Sequence, residues 1–88
     1  MGDLAFTEHA WEEYVFWQMT DRATVRKING LMKEISRTPF EGTGKPEHLK
    51  DDLAGKWSRR INDKDRLVYE VLGDSVRIVQ CRGHYQDK

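Results

Sequence analysis

The residues with most chemical capacity in this 88-residue chain lie near its end, in Cys81-Arg82-Gly83-His84-Tyr85. They follow an apolar run, Val76, Ile78 and Val79, that reads as a strand. An imidazole held at the end of a rigid element can give or take a proton near neutral pH. Read alone, His84 is more often an ordinary surface histidine than a catalyst, so other residues must decide. Glu47 stands between Lys45 and Lys50, whose charges favour its ionised form. Such a carboxylate can accept a proton, and it can equally sit in a surface ion pair. Arg59, Arg60, Arg66, Arg77 and Arg82 are many cations for half-buried strands. Successive strand residues face opposite sides, so only one of Arg59 and Arg60 can face a given cleft. If residue 60 pairs across from residue 66, two guanidinium groups lie side by side, which is unfavourable without an anion between them. A phosphate would satisfy both, whereas a slip of one residue undoes the arrangement. Each arginine is also compatible with an ordinary salt bridge on a solvated strand.

The elements that must position these groups follow from periodicity. Leu4-Ala5-Phe6 suits a brief strand leading into a helix, with Thr7 as N-cap and Glu8 in the first turn. Trp11, Tyr14 and Val15 form one apolar stripe at helical spacing, which core packing explains better than a ligand box. Thr20-Asp21 caps a second helix. There Val25, Ile28, Leu31, Met32 and Ile35 recur at steps of three and four opposite Arg22, Arg26, Lys27, Lys33 and Glu34. Gly30 inside that helix costs about 1 kcal/mol relative to Ala, which points to close helix packing there. Pro39 ends the helix. Residues 39–46 hold two glycines and two prolines and read as a loop, after which Glu47-His48-Leu49-Lys50 suits one helical turn. Three strand-like runs follow, residues 57–61, 66–72 and 76–82, joined by short turns into an antiparallel meander. Two helices and then a meander predict an α+β fold, the helices covering one sheet face and the other face left for a site.

Composition bounds the function. Eighty-eight residues make a single domain, residues 1–88, with 86–88 as a short polar tail. The single cysteine, Cys81, permits no intrachain disulfide and no zinc site of several thiolates, and its apolar neighbours predict a buried thiol. No apolar run nears the roughly 20 residues that span a bilayer. Met1-Gly2-Asp3-Leu4 lacks a signal-peptide pattern, and Phe6 stands where myristoylation wants Ser or Thr. A reducing, cytoplasmic setting is expected. Gly44-Lys45 is followed by Pro46, so the loop is no phosphate-binding P-loop. Zero net charge argues against a protein that coats nucleic acid nonspecifically. The charges are uneven, however: Asp3, Glu8, Glu12 and Glu13 come early, and Lys56, Arg59 and Arg60 cluster later. A local basic site remains open.

Six ordered motifs carry a family resemblance. Arg37-Thr38-Pro39-Phe40-Glu41-Gly42, Gly44-Lys45-Pro46-Glu47, Leu49-Lys50, Trp57-Ser58-Arg59-Arg60-Ile61, Arg66-Leu67-Val68-Tyr69 and Cys81-Arg82-Gly83-His84-Tyr85 resemble the YoeB toxins of the RelE/ParE toxin–antitoxin superfamily. The likeness runs nearly end to end and includes Trp11, Tyr14 and Trp17. It implies a microbial-ribonuclease-like fold of two helices on an antiparallel sheet. It also implies a ribosome-dependent endoribonuclease that cuts messenger RNA in the A site without a metal or other cofactor. The partners implied are the ribosome and mRNA, a YefM-like antitoxin, operator DNA only through the antitoxin complex, and a possible homodimer, with no membrane. Carried over by position, Glu47 is the general base, His84 the general acid and Arg66 the transition-state stabiliser. Tyr85, Lys50, Arg60 and Lys45 line the same cleft. Gly83 stands where many relatives have a second tyrosine, and Gln86-Asp87-Lys88 continue past the tyrosine at which many stop. Readings from other classes are a gyrase-poisoning ParE-type toxin and a non-catalytic RNA- or partner-binding module.

Overall fold

A computed structural model describes residues 3–83 of the chain; residues 1–2 and 84–88, including His84 and Tyr85, lie outside the described part. In chain order the elements are β1 (Leu4–Phe6), α1 (Glu8–Thr20), α2 (Arg22–Ile35), β2 (Glu47–His48), a 3-10 turn at Asp51–Leu53, β3 (Lys56–Arg60), β4 (Arg66–Leu72) and β5 (Ser75–Gln80). The expected α+β architecture is present as one five-stranded sheet in the order β1-β5-β4-β3-β2. Strand β1 runs parallel to β5, and all other pairs are antiparallel.

Local chemistry explains the helix boundaries. Thr7 caps α1 by accepting a hydrogen bond from the Ala10 N–H at 3.0 Å. Asp21 caps α2 by accepting one from the Thr24 N–H at 3.1 Å, which holds the Asp21 carboxyl below its ordinary value. Ile28, Leu31, Met32 and Ile35 of α2 enter the core with Leu67, Tyr69, Val76, Ile78 and Cys81 from the sheet. The Cys81 thiol is fully buried and, chiefly through that burial, pushed up to about 12.

Three expectations need correction. The stripe of Trp11, Tyr14 and Val15 is core only in part: Tyr14 is half-buried against the core, Trp11 is half exposed, and among the described residues of α1 only Ala10 is fully buried. Apolar residues lie all round α1, at Trp11, Tyr14, Val15, Phe16, Trp17 and Met19, so spacing alone could not choose its inner face. Small Ala10 lets the helix approach the sheet, while Phe6, Trp11 and Tyr14 pack on one another with ring centroids 5.4–5.8 Å apart. Gly30 does not mark close packing, since a Cβ there would meet nothing within 4 Å. Finally, Glu47-His48 is not part of a helical turn but a two-residue strand pairing with β3. His48 stacks on Trp57 at 4.9 Å, and that contact helps fix it there.

The connection from α2 to β2 is held by one buried cation. Arg59 is fully buried, and its Nη1 donates to Glu34 Oε1 and the Thr43 carbonyl. Its Nη2 donates to the carbonyls of Thr38 and Glu41 at 2.7 and 2.9 Å, and its Nε donates to the Tyr69 hydroxyl at 3.2 Å. All five guanidinium donors are thereby used. The Tyr69 hydroxyl in turn donates to the Pro39 carbonyl at 2.6 Å. The loop wraps so closely that a Cβ on Gly42 would fall 2.5 Å from Glu34 Oε1, at a φ of +128° that already favours glycine.

Removing the Arg59 side chain leaves three loop carbonyls without their donor and takes from Glu34 its counter-charge. Arg59→Ala should therefore cost about 3–5 kcal/mol in urea unfolding, a large part of the stability of a small domain; a loss under 1 kcal/mol would contradict this. Hydrogen bonds from the Thr43 N–H first, and then from the Thr43 hydroxyl and Arg59, hold the Glu34 carboxyl below its ordinary 4.5. A depressed folded value means the contribution is complete above pH 4.5 and fades as pH falls through the lower folded value. Glu34→Gln should lower stability at pH 7 and flatten its decline below pH 4.5, read from urea midpoints. Gly30→Ala should raise stability by up to about 1 kcal/mol, seen as a higher Tm.

Candidate active site on the open sheet face

Alternation assigns the two faces of the sheet. Arg59 pairs with Leu67 and Trp57 with Tyr69 on the helix side. Ser58, Arg60, Arg66 and Val68 therefore point to the open face. Glu47 is opposite Ser58, and Val68 is opposite Gln80, so one row across the open face reads Glu47, Ser58, Val68, Gln80. The next row is the pair Arg60 and Arg66, in the register considered from sequence. That register settles which of the two adjacent arginines faces the cleft: Arg60 does, and Arg59 is the buried lock.

The floor of this face is small and closed, with Ser58 and Val68 both buried, while Glu47 and Arg60 at its edge are exposed and Arg66 is half-buried. Sheet geometry sets Glu47 about 7–8 Å from Arg60 across a diagonal. It sets Glu47 about 12 Å from Arg66, two strands over and two residues along, between Cα atoms. A phosphodiester fits between side chains of that length. Arg66 Nη1 donates to the carbonyls of Asn62 and Asp65, at 2.8 and 3.1 Å.

Lys45 and Lys50 flank β2 at its two ends, both exposed, and neither forms an ion pair with Glu47 among the described residues. Lys45 adopts a left-handed φ of 53° beside Gly44, whose carbonyl accepts from the Arg60 N–H at 2.7 Å. Arg77 lies off the cleft, paired with Glu70, which also meets Lys56 at 3.8 Å.

Two parts of the site escaped sequence reasoning. The register steps from Tyr69–Ile78 to Val68–Gln80, so Val79 is an extra residue, a β-bulge. It returns Gln80 to the open face and lets Cys81 enter the core. The other part is the tether of the chain end. The Gly83 carbonyl accepts from the Arg66 N–H at 2.9 Å, and the Gly83 N–H donates to Asp65 Oδ1 at 2.7 Å. Gln80 Nε2 also donates to the Gly83 carbonyl, at 3.0 Å. The residue preceding His84 is thus fixed beside Arg66. His84 and Tyr85 themselves lie outside the described residues. A polar Asp65 just ahead of Arg66 was the available signal for this tether, although nothing in its spacing named Gly83 as its partner.

Comparison with known proteins agrees with this architecture. Residues 6–85 match the family described as YoeB-like toxin of bacterial type II toxin-antitoxin system. Toxin YoeB of Escherichia coli strain K12 is 55% identical over 82 residues, covering 93% of this chain and 98% of that protein. A YoeB/ParE toxin structure from Agrobacterium tumefaciens superposes with a TM-score of 0.92 at 50% identity, over 94% of this chain and 99% of that one. A heterotetrameric YoeB-YefM toxin-antitoxin complex from Staphylococcus aureus contains a chain with a TM-score of 0.88 at 44% identity, over 97% of this chain and 99% of that one. With near-complete coverage on both sides, the chain belongs to the YoeB toxins of bacterial type II toxin–antitoxin systems.

Proposed function

We propose that the open face cleaves messenger RNA bound in the ribosomal A site by attack of a ribose 2′-hydroxyl on the adjacent phosphorus. The observation that carries this reading is the sharing of one face by Glu47, Arg60 and Arg66, with Gly83 tethered beside Arg66. Glu47 takes the 2′-hydroxyl proton as the 2′-oxygen bonds to phosphorus, and Arg66 balances the charge that grows on the phosphoryl oxygens. The bond from phosphorus to the 5′-oxygen breaks, and His84 as imidazolium supplies the proton that this oxygen needs. The products are a 2′,3′-cyclic phosphate and a 5′-hydroxyl. Arg60, Lys45 and Lys50 grip neighbouring phosphates, and Tyr85 lines the same cleft. The route uses side chains alone.

The dependence on the ribosome follows from the modest means of this face. Zero net charge gives little attraction for free RNA, and holding the codon in an attack-ready geometry can supply several kcal/mol. Neutralisation by a YefM-like antitoxin fits the complex formed by the Staphylococcus aureus relative. Operator DNA would be met only through that complex.

Primer extension on translated message tests the reading. Wild-type protein should create new 5′ ends within A-site codons, and leave naked RNA largely intact. Glu47→Gln and His84→Ala should each lower the single-turnover rate about 10²–10⁴-fold, with Arg66→Ala also losing steeply. A His84→Ala protein that cut at near-normal rate would overturn the assignment of the acid, and stalling without new 5′ ends would overturn the enzyme itself.

A further inference from the structure

A second groove lies round the hairpin end of the sheet from the open face. Phe16 and Trp17, near the C-terminal end of α1, line it together with Lys64, Asp65, Arg82 and Gly83, around about 450 Å³. It is continuous with the catalytic face, because Asp65 and Gly83 of this groove are the residues hydrogen-bonded around Arg66.

Its chemistry is one-sided. The two carboxylates at the groove are already engaged with the protein: Asp65 accepts from the Gly83 N–H and from Asn62 Nδ2, and Asp21 caps α2. Neither Lys64 nor Arg82 forms an ion pair among the described residues. The Arg82 guanidinium instead lies over the Phe16 ring, 3.7 Å from its centroid. Phe16 meets Trp17 edge-on at 5.2 Å, and the Trp17 indole N–H is anchored on the Cys81 carbonyl at 2.8 Å. The Phe16 and Trp17 pair is therefore braced from the core outward. Among the described residues, a Cβ on Gly83 would meet nothing within 4 Å.

A guanidinium braced on a phenyl ring offers its outer face to a nucleobase and its N–H edge to a phosphate. We infer that this groove holds a nucleotide of the message flanking the cleaved bond, its base stacked on Arg82 over Phe16 and its phosphate facing Lys64. The inference rests on the proposed RNA-cleaving function and assigns the strand a path off the open face.

Binding to ribosomes programmed with message, followed by anisotropy of labelled full-length Glu47→Gln protein, tests this without requiring cleavage. Adding Arg82→Ala should weaken binding about tenfold or more, the scale of one lost base stack. Arg82→Lys, which keeps the charge and loses the plane, should recover little. Lys64→Ala should reduce the slope of log affinity against log salt by about 1. Messages with a single abasic ribose, moved one position at a time through the flanking nucleotides, should weaken the parent protein at one position. At that position the abasic site should have no further effect on the Arg82→Ala protein. Additive losses would overturn the inference, as would an Arg82→Ala defect matched by no abasic position, which would assign the groove to ribosomal RNA, to protein or to the chain's own end. If the wild-type protein leaves message uncut while these couplings appear, the proposed catalysis fails and the groove stands. If cleavage proceeds and the couplings are absent, the groove fails alone.

Discussion

The buried Arg59 guanidinium is the interaction on which the rest of the molecule depends. A full charge removed from water is costly unless a counter-charge and hydrogen bonds surround it. Here Glu34 supplies the counter-charge, while Thr38, Glu41 and Thr43 supply carbonyls that would otherwise lack partners in an irregular loop. The arrangement also serves the loop. Residues 36–46 have no regular ladder of their own, and Arg59 with Tyr69 gives them a substitute for one. The chain then leaves the loop at Gly44, bonded to Arg60, and continues into β2 with Glu47 turned to the open face. An arginine on one side of the sheet thus fixes a carboxylate on the other.

The adjacency of Arg59 and Arg60 makes this coupling direct. Because strand neighbours point to opposite faces, locking Arg59 into the core leaves Arg60 only the open side. There it stands across from Arg66, a pairing that needs an anion between the two. Arg66 also donates to the turn carbonyls at Asn62 and Asp65. The β-bulge at Val79 adds the last element, returning Gln80 to the open face so that its amide helps hold Gly83. A chain of neutral net charge thereby concentrates cations on one small floor, while its early acids stay on and near α1.

Much of this was legible from residue types. The caps at Thr7 and Asp21, the amphipathic α2 and the three meander strands follow from local chemistry and period, whereas the pairing of 60 with 66 was one register among those the sequence allowed. Strand β2 did not, since two residues show no alternation and Pro46 with Lys50 suits a turn as well. Its pairing depends on the loop lock and on the stack of His48 on Trp57, both made by residues distant in sequence. Nor could alternation alone say which of Arg59 and Arg60 is buried, because a buried arginine is recognised only by the partners that the fold brings to it. The glycine at 30 misled for a related reason: a cost in helix propensity suggests a compensating contact, and none lies beside it. The bulge at Val79 left no mark in the apolar run that contains it. Of the proposed catalytic set, Glu47 and Arg66 are brought to one face, and His84 and Tyr85 follow a tethered Gly83 but lie outside the described residues.

The account's central claim is that the strand is cut by its own 2′-oxygen under the control of Glu47 and Arg66. Replacing one ribose of an A-site codon by 2′-deoxyribose, at the nucleotide 5′ to the cleaved bond, tests it most directly. The account predicts that such a message still binds the ribosome and the toxin, that cleavage at that bond disappears, and that the all-ribose control yields a 2′,3′-cyclic phosphate. Cleavage of the deoxy-substituted bond at an unchanged rate would contradict it.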